Sequence, residues 1–206
     1  ARLERAIERW REDPSPANGM ALHIAAEPRR QELIRRLNLA PGGTERLVRM
    51  REDVLAAELL HPELDTVDAD FRHLFGSWFN RGFLTLKRID WNTPAAVLER
   101  IIRYEAVHEI TSWDDLRRRI DPEDRRCFAF FHPRLPDEPL IFVEVALARS
   151  APEAIAPLLA PERRPIAAHR AAVAAFYSIS NCQEGLRGVP LGNFLIKQVV
   201  EELKRE

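Results

Sequence analysis

The sequence predicts an α+β chain of two domains, a helical bundle over residues 1–80 followed by a mixed α/β domain over residues 81–206. Three observations lead there. Apolar residues recur at helical spacing, between proline and glycine breaks, as far as about Phe79. Near Gly82 the pattern changes to alternating, strand-like runs. Close to the end of the chain a strand, a glycine-bearing turn and an apolar-periodic helix follow one another directly.

In the first domain Leu3, Ile7 and Trp10 lie on one helical face, and Leu33 and Leu37 on another. Breaks fall at Pro14-Ser15-Pro16, Pro41-Gly42-Gly43 and His61-Pro62. Thr44 is placed to cap the helix that carries Leu47, Met50, Val54 and Leu55. Phe71, Phe75, Trp78 and Phe79 share a helical face and read as core or inter-domain packing rather than as a platform for bases.

Residues 83–89 (Phe83 to Ile89) alternate like a half-buried strand. A helix then runs to Tyr104, with Thr93 as its cap and Pro94 in first position; Ser112 caps another that reaches Ile120. Cys127 to Phe131 and Leu140 to Leu147 read as two strands joined by a turn-rich loop. Residues 148–168, rich in alanine and proline, cross the surface with one short helix near Pro152 to Leu159. Ala174 to Ser180 is the last strand, and Asn193 to Leu203 the last helix.

Composition excludes several classes of function. The 31 basic and 32 acidic residues nearly cancel, so nothing global draws the chain to nucleic acid or to an anionic membrane, and neither is expected as a partner. No apolar run approaches the ~20 residues of a membrane helix. Two cysteines, Cys127 and Cys182, are too few for a disulfide framework and lack metal-ligand spacing, which favours a reducing compartment, the cytoplasm. His23, His61, His73, His108, His132 and His169 are scattered without i,i+4 pairing, so no metal is expected. His108 and His132 read as structural residues near element ends. The runs Arg117-Arg118-Arg119 and Arg125-Arg126 are interleaved with acidic residues and read as a solvated, salt-bridged face, or else as a basic rim for an anionic ligand. Cys182 stands just before the glycine turn; it is structural filler or a thiol whose pKa a helix N-terminus lowers.

The turn itself runs from Gln183 through Glu184, Gly185, Leu186, Arg187, Gly188, Val189, Pro190, Leu191 and Gly192. Three of the chain's eight glycines fall in it. A helix N-terminus offers amides with no internal partner at the positive end of the dipole, and glycine lets an anion approach the main chain. The residues from Glu184 to Gly192 are therefore a candidate phosphate cradle, with donors at Leu186 to Val189, Leu191 and Gly192 and a charge-assisted contact from Arg187. Pro190, which has no N–H, fits the first helical position. An ordinary strand-to-helix connection remains the alternative. The turn is no Walker loop, since no Gly-Lys-Ser/Thr follows, and its glycine spacing differs from the dinucleotide fingerprint.

The strand–turn–helix order, with Arg187-Gly188-x-x-x-Gly192-x-x-Leu195, resembles the acyl-coenzyme A segment of the GNAT acyltransferase fold, departing from it at Pro190. A closer resemblance spans residues 70–206. Phe176-Tyr177-Ser178-Ile179-Ser180 through Gly185-Leu186-Arg187-Gly188-Val189-x-Leu191-Gly192-x-Phe194-Leu195-Ile196-Lys197, with Glu105-Ala106-Val107-His108, Arg125-Arg126-Cys127 and Glu138-Pro139-Leu140, is similar to the malonyl-CoA decarboxylase family. The resemblance implies a helical domain ahead of a GNAT-like catalytic domain, conversion of malonyl-CoA to acetyl-CoA and carbon dioxide, and no metal or organic cofactor; a homo-oligomer is expected in addition. It also implies that residues Glu184 to Gly192 hold the coenzyme A pyrophosphate. The family's catalytic serine, in a Ser-Pro-x-Pro-Gly-Phe-like segment, and its histidine follow the glycine turn, and no such segment follows it here. No catalytic residue is therefore assigned. The chain is expected to be a piece of a longer protein, opening at alanine within the helical domain and closing inside the α/β domain, with an unpaired sheet edge and an uncovered face on its last helix. A non-catalytic acyl-CoA-binding or assembly module and a GNAT-type acetyltransferase stay open as other readings.

Overall fold

The computed structural model describes residues 1–206. Five helices fill the first part: α1 (Arg2–Glu12), α2 (Pro16–Ala26), α3 (Arg29–Asn38), α4 (Gly43–Ala57) and α5 (Asp65–Trp78). Ser15 caps α2 by accepting the Asn18 amide at 3.4 Å, with Pro16 in the first turn, where a missing N–H costs nothing. The cap expected at Thr44 is at Gly42 instead. Its φ of 67° turns the chain into α4 early, and the Thr44 hydroxyl, now inside the helix, donates to Asn38 Oδ1 at 2.7 Å.

The second part holds β1 (Thr85–Ile89), α6 (Ala95–Tyr104), α7 (Trp113–Ile120), β2 (Arg125–Phe131), β3 (Ile141–Ala148), α8 (Ala156–Leu159), β4 (Val173–Asn181) and α9 (Gly192–Leu203). Pro94 proves to be the cap of α6 rather than its first residue, with an extended ψ of 135°. The Thr93 hydroxyl accepts the Asp90 amide at 3.0 Å and so shapes the preceding turn. Ser112 caps α7 as its position suggests, through the Asp115 amide at 3.1 Å.

The four strands form one sheet in the order β1-β2-β3-β4, every pair antiparallel. Period-two alternation divides its faces. Cys127, Ala129, Phe131 and Phe142 pack against Ile101 of α6 and Leu116 of α7. Phe128, Phe130, Val143 and Val145 look the other way, into a core shared with Val48 of α4, Phe75 of α5 and Leu195 of α9. The helical part and the sheet thus bury one continuous apolar cluster. The aromatic residues of α5 and the following Phe79 lie at its centre, with Phe75 5.5 Å from Phe71 and 5.4 Å from Phe79. The last helix buries Leu195 and Val199 on β2 and β3, while Ile196 and Val200 on its other side stay half-buried outside that cluster. β4 does form a sheet edge, since β3 is its one strand neighbour.

The sheet has one irregularity, between β3 and β4. Glu144 pairs with Ser178 and Val145 with Phe176, so Tyr177 is an extra residue, a β-bulge in β4.

Candidate functional site

Immediately after β4 the chain reaches the glycine turn. Residues Glu184–Leu186 make one 3-10 turn; Gly188 takes φ 82°, where a side chain is strained, and α9 opens at Gly192 behind Leu191. Pro190 therefore lies two residues ahead of the helix, not at its first position.

The donors expected of this turn are redistributed. The amides of Leu186, Arg187, Val189 and Leu191 donate to the carbonyls of Gln183, Glu184, Leu186 and Val189 at 2.9–3.0 Å, closing the turn on itself. The amides without a protein acceptor are those of Gln183, Glu184, Gly188, Gly192, Asn193 and Phe194. The last three open α9, where no preceding turn can accept them. The reason for the difference is the 3-10 turn: its i→i+3 bonds consume the N–H groups that an open loop would present. Arg187 is paired with Glu184, and both side chains are exposed.

The nine candidate residues divide between two directions. Glu184, Arg187, Gly188 and Pro190 are exposed, whereas Gly185, Leu186 and Leu191 are buried. Gly185 presses on the helical part: a Cβ there would lie 2.1 Å from the Val48 carbonyl oxygen of α4. Its own carbonyl accepts from Arg51 Nη1 at 2.8 Å, and its amide donates to Glu52 Oε1 at 3.4 Å. Arg51 is 1% exposed and also binds Asp68 of α5 at 2.7 Å. In sequence Gly185 reads as a ligand contact; its steric need is for α4. Arg51 carries no local signal, because its partners Gly185 and Asp68 lie 134 and 17 residues away.

A second polar cluster sits under the sheet. The Glu105 carboxylate accepts both β4 hydroxyls, Ser178 at 2.7 Å and Ser180 at 3.1 Å, and the amides of Val107 and His108 at 2.9 and 2.8 Å. Beside it Arg119 donates to Glu144, to Asp115 and to the carbonyls of His108 and Glu109. Glu144 is wholly buried; burial pushes its pKa up to about 8, and the Glu105 charge adds to the rise against the pull of Arg119. Burial likewise raises the bulged Tyr177, with Glu144 adding to it. His108 Nε2, Glu144 Oε1 and the Tyr177 hydroxyl are the three buried side-chain polar atoms with no partner. The Arg117–Arg119 run is thus only partly a solvated face: Arg117 and Arg118 pair with Asp121 and Asp115 at the surface, while Arg119 is buried. Arg125 and Arg126 are buried too, Arg125 donating to the Leu158 carbonyl and Arg126 to the Glu123 carbonyl and the Glu206 carboxylate, which leaves no free basic rim there.

Cys182 and Cys127 are free and buried, and burial raises both thiols, which removes the reactive-thiol reading of Cys182. His132 packs on Phe79 at 5.0 Å, its Nδ1 accepts the Arg134 amide at 3.2 Å, and burial lowers its pKa. No three His, Cys, Asp or Glu side chains converge as a metal site would require, and no helix is long and apolar enough to cross a membrane. A cavity of about 600 Å³ lies away from the turn, between Arg126, Leu147, His169 and Leu203.

Comparison with known proteins matches two sequence families. Residues 1–79 match the malonyl-CoA decarboxylase N-terminal domain, and residues 82–206 match the malonyl-CoA decarboxylase C-terminal domain. The chain is 39% identical over 191 residues to the mitochondrial malonyl-CoA decarboxylase of Mus musculus, covering 90% of this chain and 39% of that protein. Against the corresponding protein of Anser anser anser it is 39% identical over 185 residues, 87% of this chain and 36% of the relative. Crystal structures of malonyl-CoA decarboxylase from Rhodopseudomonas palustris and Agrobacterium vitis superpose with TM-scores of 0.91 and 0.95, at 67% and 65% identity. Each covers 99% of this chain, which in turn covers 50% and 49% of the two solved chains. The chain therefore spans about two fifths of the curated relatives and half of the solved ones.

Proposed function

Because the chain belongs to the malonyl-CoA decarboxylase family, we propose that it is the substrate-holding part of an enzyme that converts malonyl-CoA to acetyl-CoA and carbon dioxide, and that residues 184–192 receive the coenzyme A pyrophosphate. The observation that carries the placement is the group of unpartnered amides at Gly188, which has φ 82°, and at the first three residues of α9. Amides aimed at the N-terminus of a twelve-residue helix suit a diphosphate, whose charge the dipole also favours. Arg187 is free to leave Glu184 for the ligand, since both are at the surface. The succession of β1, two helices, three more antiparallel strands, turn and helix supports the GNAT-like reading of this part.

Decarboxylation breaks the bond to the carboxylate, which leaves as carbon dioxide; the electron pair stays behind and places negative charge on the thioester oxygen, and the carbon must then gain a proton. Holding the pyrophosphate fixes one end of the ligand so that the malonyl group arrives in one orientation. The chemistry calls for no metal or organic cofactor, because the thioester itself accepts the electrons released. Exposed Leu3, Trp10, Met20, Leu59 and Leu60 on the helical part support a homo-oligomer. Two buried, unpaired thiols favour a reducing compartment such as the cytoplasm, although the curated relatives carry the description mitochondrial.

The placement is tested by coenzyme A titration calorimetry on Gly188→Asp and Gly188→Asn. Both side chains tolerate positive φ comparably, so their difference isolates charge. The aspartate variant is expected to bind about tenfold more weakly than the asparagine variant; equal affinities would remove the pyrophosphate from this turn.

A further inference from the structure

We propose that Arg51 is a positioning residue for the coenzyme A turn, so that the helical part sets the affinity of a site carried by the other part; this rests on the pyrophosphate reading of the turn. Both backbone polar groups of Gly185 are held by consecutive residues of α4: the carbonyl by Arg51 at 2.8 Å and the amide by Glu52 at 3.4 Å. Arg51 is in turn fixed by Asp68 at 2.7 Å and lies over the Phe75 ring, its guanidinium carbon 6.0 Å from the centroid. Asp68 is also ion-paired with Arg72, whose Nε lies 2.9 Å from Oδ2, and Arg72 Cδ is 3.9 Å from where a Cβ on Gly188 would stand. Asp68 therefore reaches Gly185 through Arg51, and its second partner Arg72 passes beside Gly188.

Stability alone does not account for this arrangement. A buried ion pair is often replaceable by apolar side chains without loss, because desolvating two charges offsets their attraction. A planar guanidinium does what an apolar residue cannot: it fixes a carboxylate and a carbonyl in one geometry. The carbonyl it fixes lies three residues ahead of Gly188, whose amide is among the unpartnered ones. Because the intervening residues are closed by the i→i+3 bonds from Leu186, Arg187 and Val189, a displacement at Gly185 is transmitted rather than absorbed.

The test is coenzyme A affinity of the 206-residue chain. Arg51→Met is expected to weaken binding about tenfold and Arg51→Lys about threefold, the lysine keeping one of the two contacts. Glu52→Gln, at a partly exposed position that does not threaten folding, is expected to weaken it about twofold. Asp70→Asn serves as the control: Asp70 is a buried partner of Arg30 and Gln31 in the same helical part and does not touch the turn. It should lower the unfolding midpoint yet leave affinity unchanged. Undiminished affinity in the Lys and Gln variants, or an equal loss in Asp70→Asn, overturns the proposal. A parent chain that binds no coenzyme A overturns the reading of the turn, and this proposal with it.

Discussion

The close approach of Gly185 to α4 makes Gly185→Ala a sharp perturbation. An ideal Cβ would stand 2.1 Å from the Val48 carbonyl oxygen and 2.9 Å from its Cγ1, whereas ordinary contact begins at 3.4 Å. The turn and helix would have to part by about 1.3 Å, the difference between 3.4 and 2.1 Å. A helical carbonyl cannot swing aside, and a separation of that size takes the Gly185 carbonyl beyond reach of Arg51, now 2.8 Å away. Overpacking of this kind costs about 1–3 kcal/mol, and a buried charged donor left short of an acceptor about 1–3 more. Alanine returns roughly 0.5 kcal/mol through the unfolded chain, which leaves a net loss of about 3 kcal/mol. For a chain of this length that lowers the melting midpoint by about 6–12 °C. Urea unfolding followed by circular dichroism measures it, with Gly76→Ala as the matched substitution, since a Cβ at Gly76 within α5 meets nothing within 4 Å. Gly76→Ala should be neutral or slightly stabilising. A Gly185→Ala variant within about 0.5 kcal/mol of the parent would refute the packing argument.

Three further outcomes are expected of the buried polar groups. Glu144 has its folded pKa raised to about 8 from an ordinary 4.5, so the native state holds a proton that the unfolded chain releases; stability is full below about pH 4.5 and is lost as pH rises towards 8. Glu144→Gln should abolish that fall, which amounts to at most ~1.4 kcal/mol per pH unit, and parallel urea stabilities of parent and variant at pH 5.5 and 8 would contradict it. Glu105→Ala strips two hydroxyls and two amides of their acceptor and is expected to cost about 3 kcal/mol in urea unfolding; a loss under about 1 kcal/mol would mean that the cluster is not cooperative. Cys127 and Cys182, buried with raised pKa values, should resist a thiol reagent until denaturant is added; rapid labelling of either in the native chain would show that the sheet opens.

Much of this architecture is written locally. Ser15, Ser112 and the Pro-Gly breaks announce helix ends because a cap acts within three residues of itself. The unbroken apolar run from Cys127 to Phe131 gives the strand, since β2 is covered on each side. Thr44 and Thr93 mislead for the same local reason: a threonine before a helix reads as a cap, but Gly42 and Pro94 set the backbone first. The turn is legible in its glycines and its place after a strand, yet which amides stay free is not. That depends on the 3-10 bonds inside the turn, which nothing in the residue types demands. Least visible are the long-range partners. Arg51 looks like any charge on an amphipathic helix, and Glu144 like a charge in a strand; only the tertiary pairing to Gly185 and Arg119 makes them internal.

The unpartnered amides at the head of α9 and at Gly188 are held above to receive a diphosphate. That claim is met most directly by titrating ¹⁵N-labelled chain with coenzyme A and observing the backbone amide resonances. Gly188, Gly192, Asn193 and Phe194 should shift most, and 3′-phosphate-free coenzyme A should shift them equally while pantetheine does not. Shifts concentrated elsewhere, around the cavity of Leu147 and His169 for example, with these four amides unmoved, would contradict it.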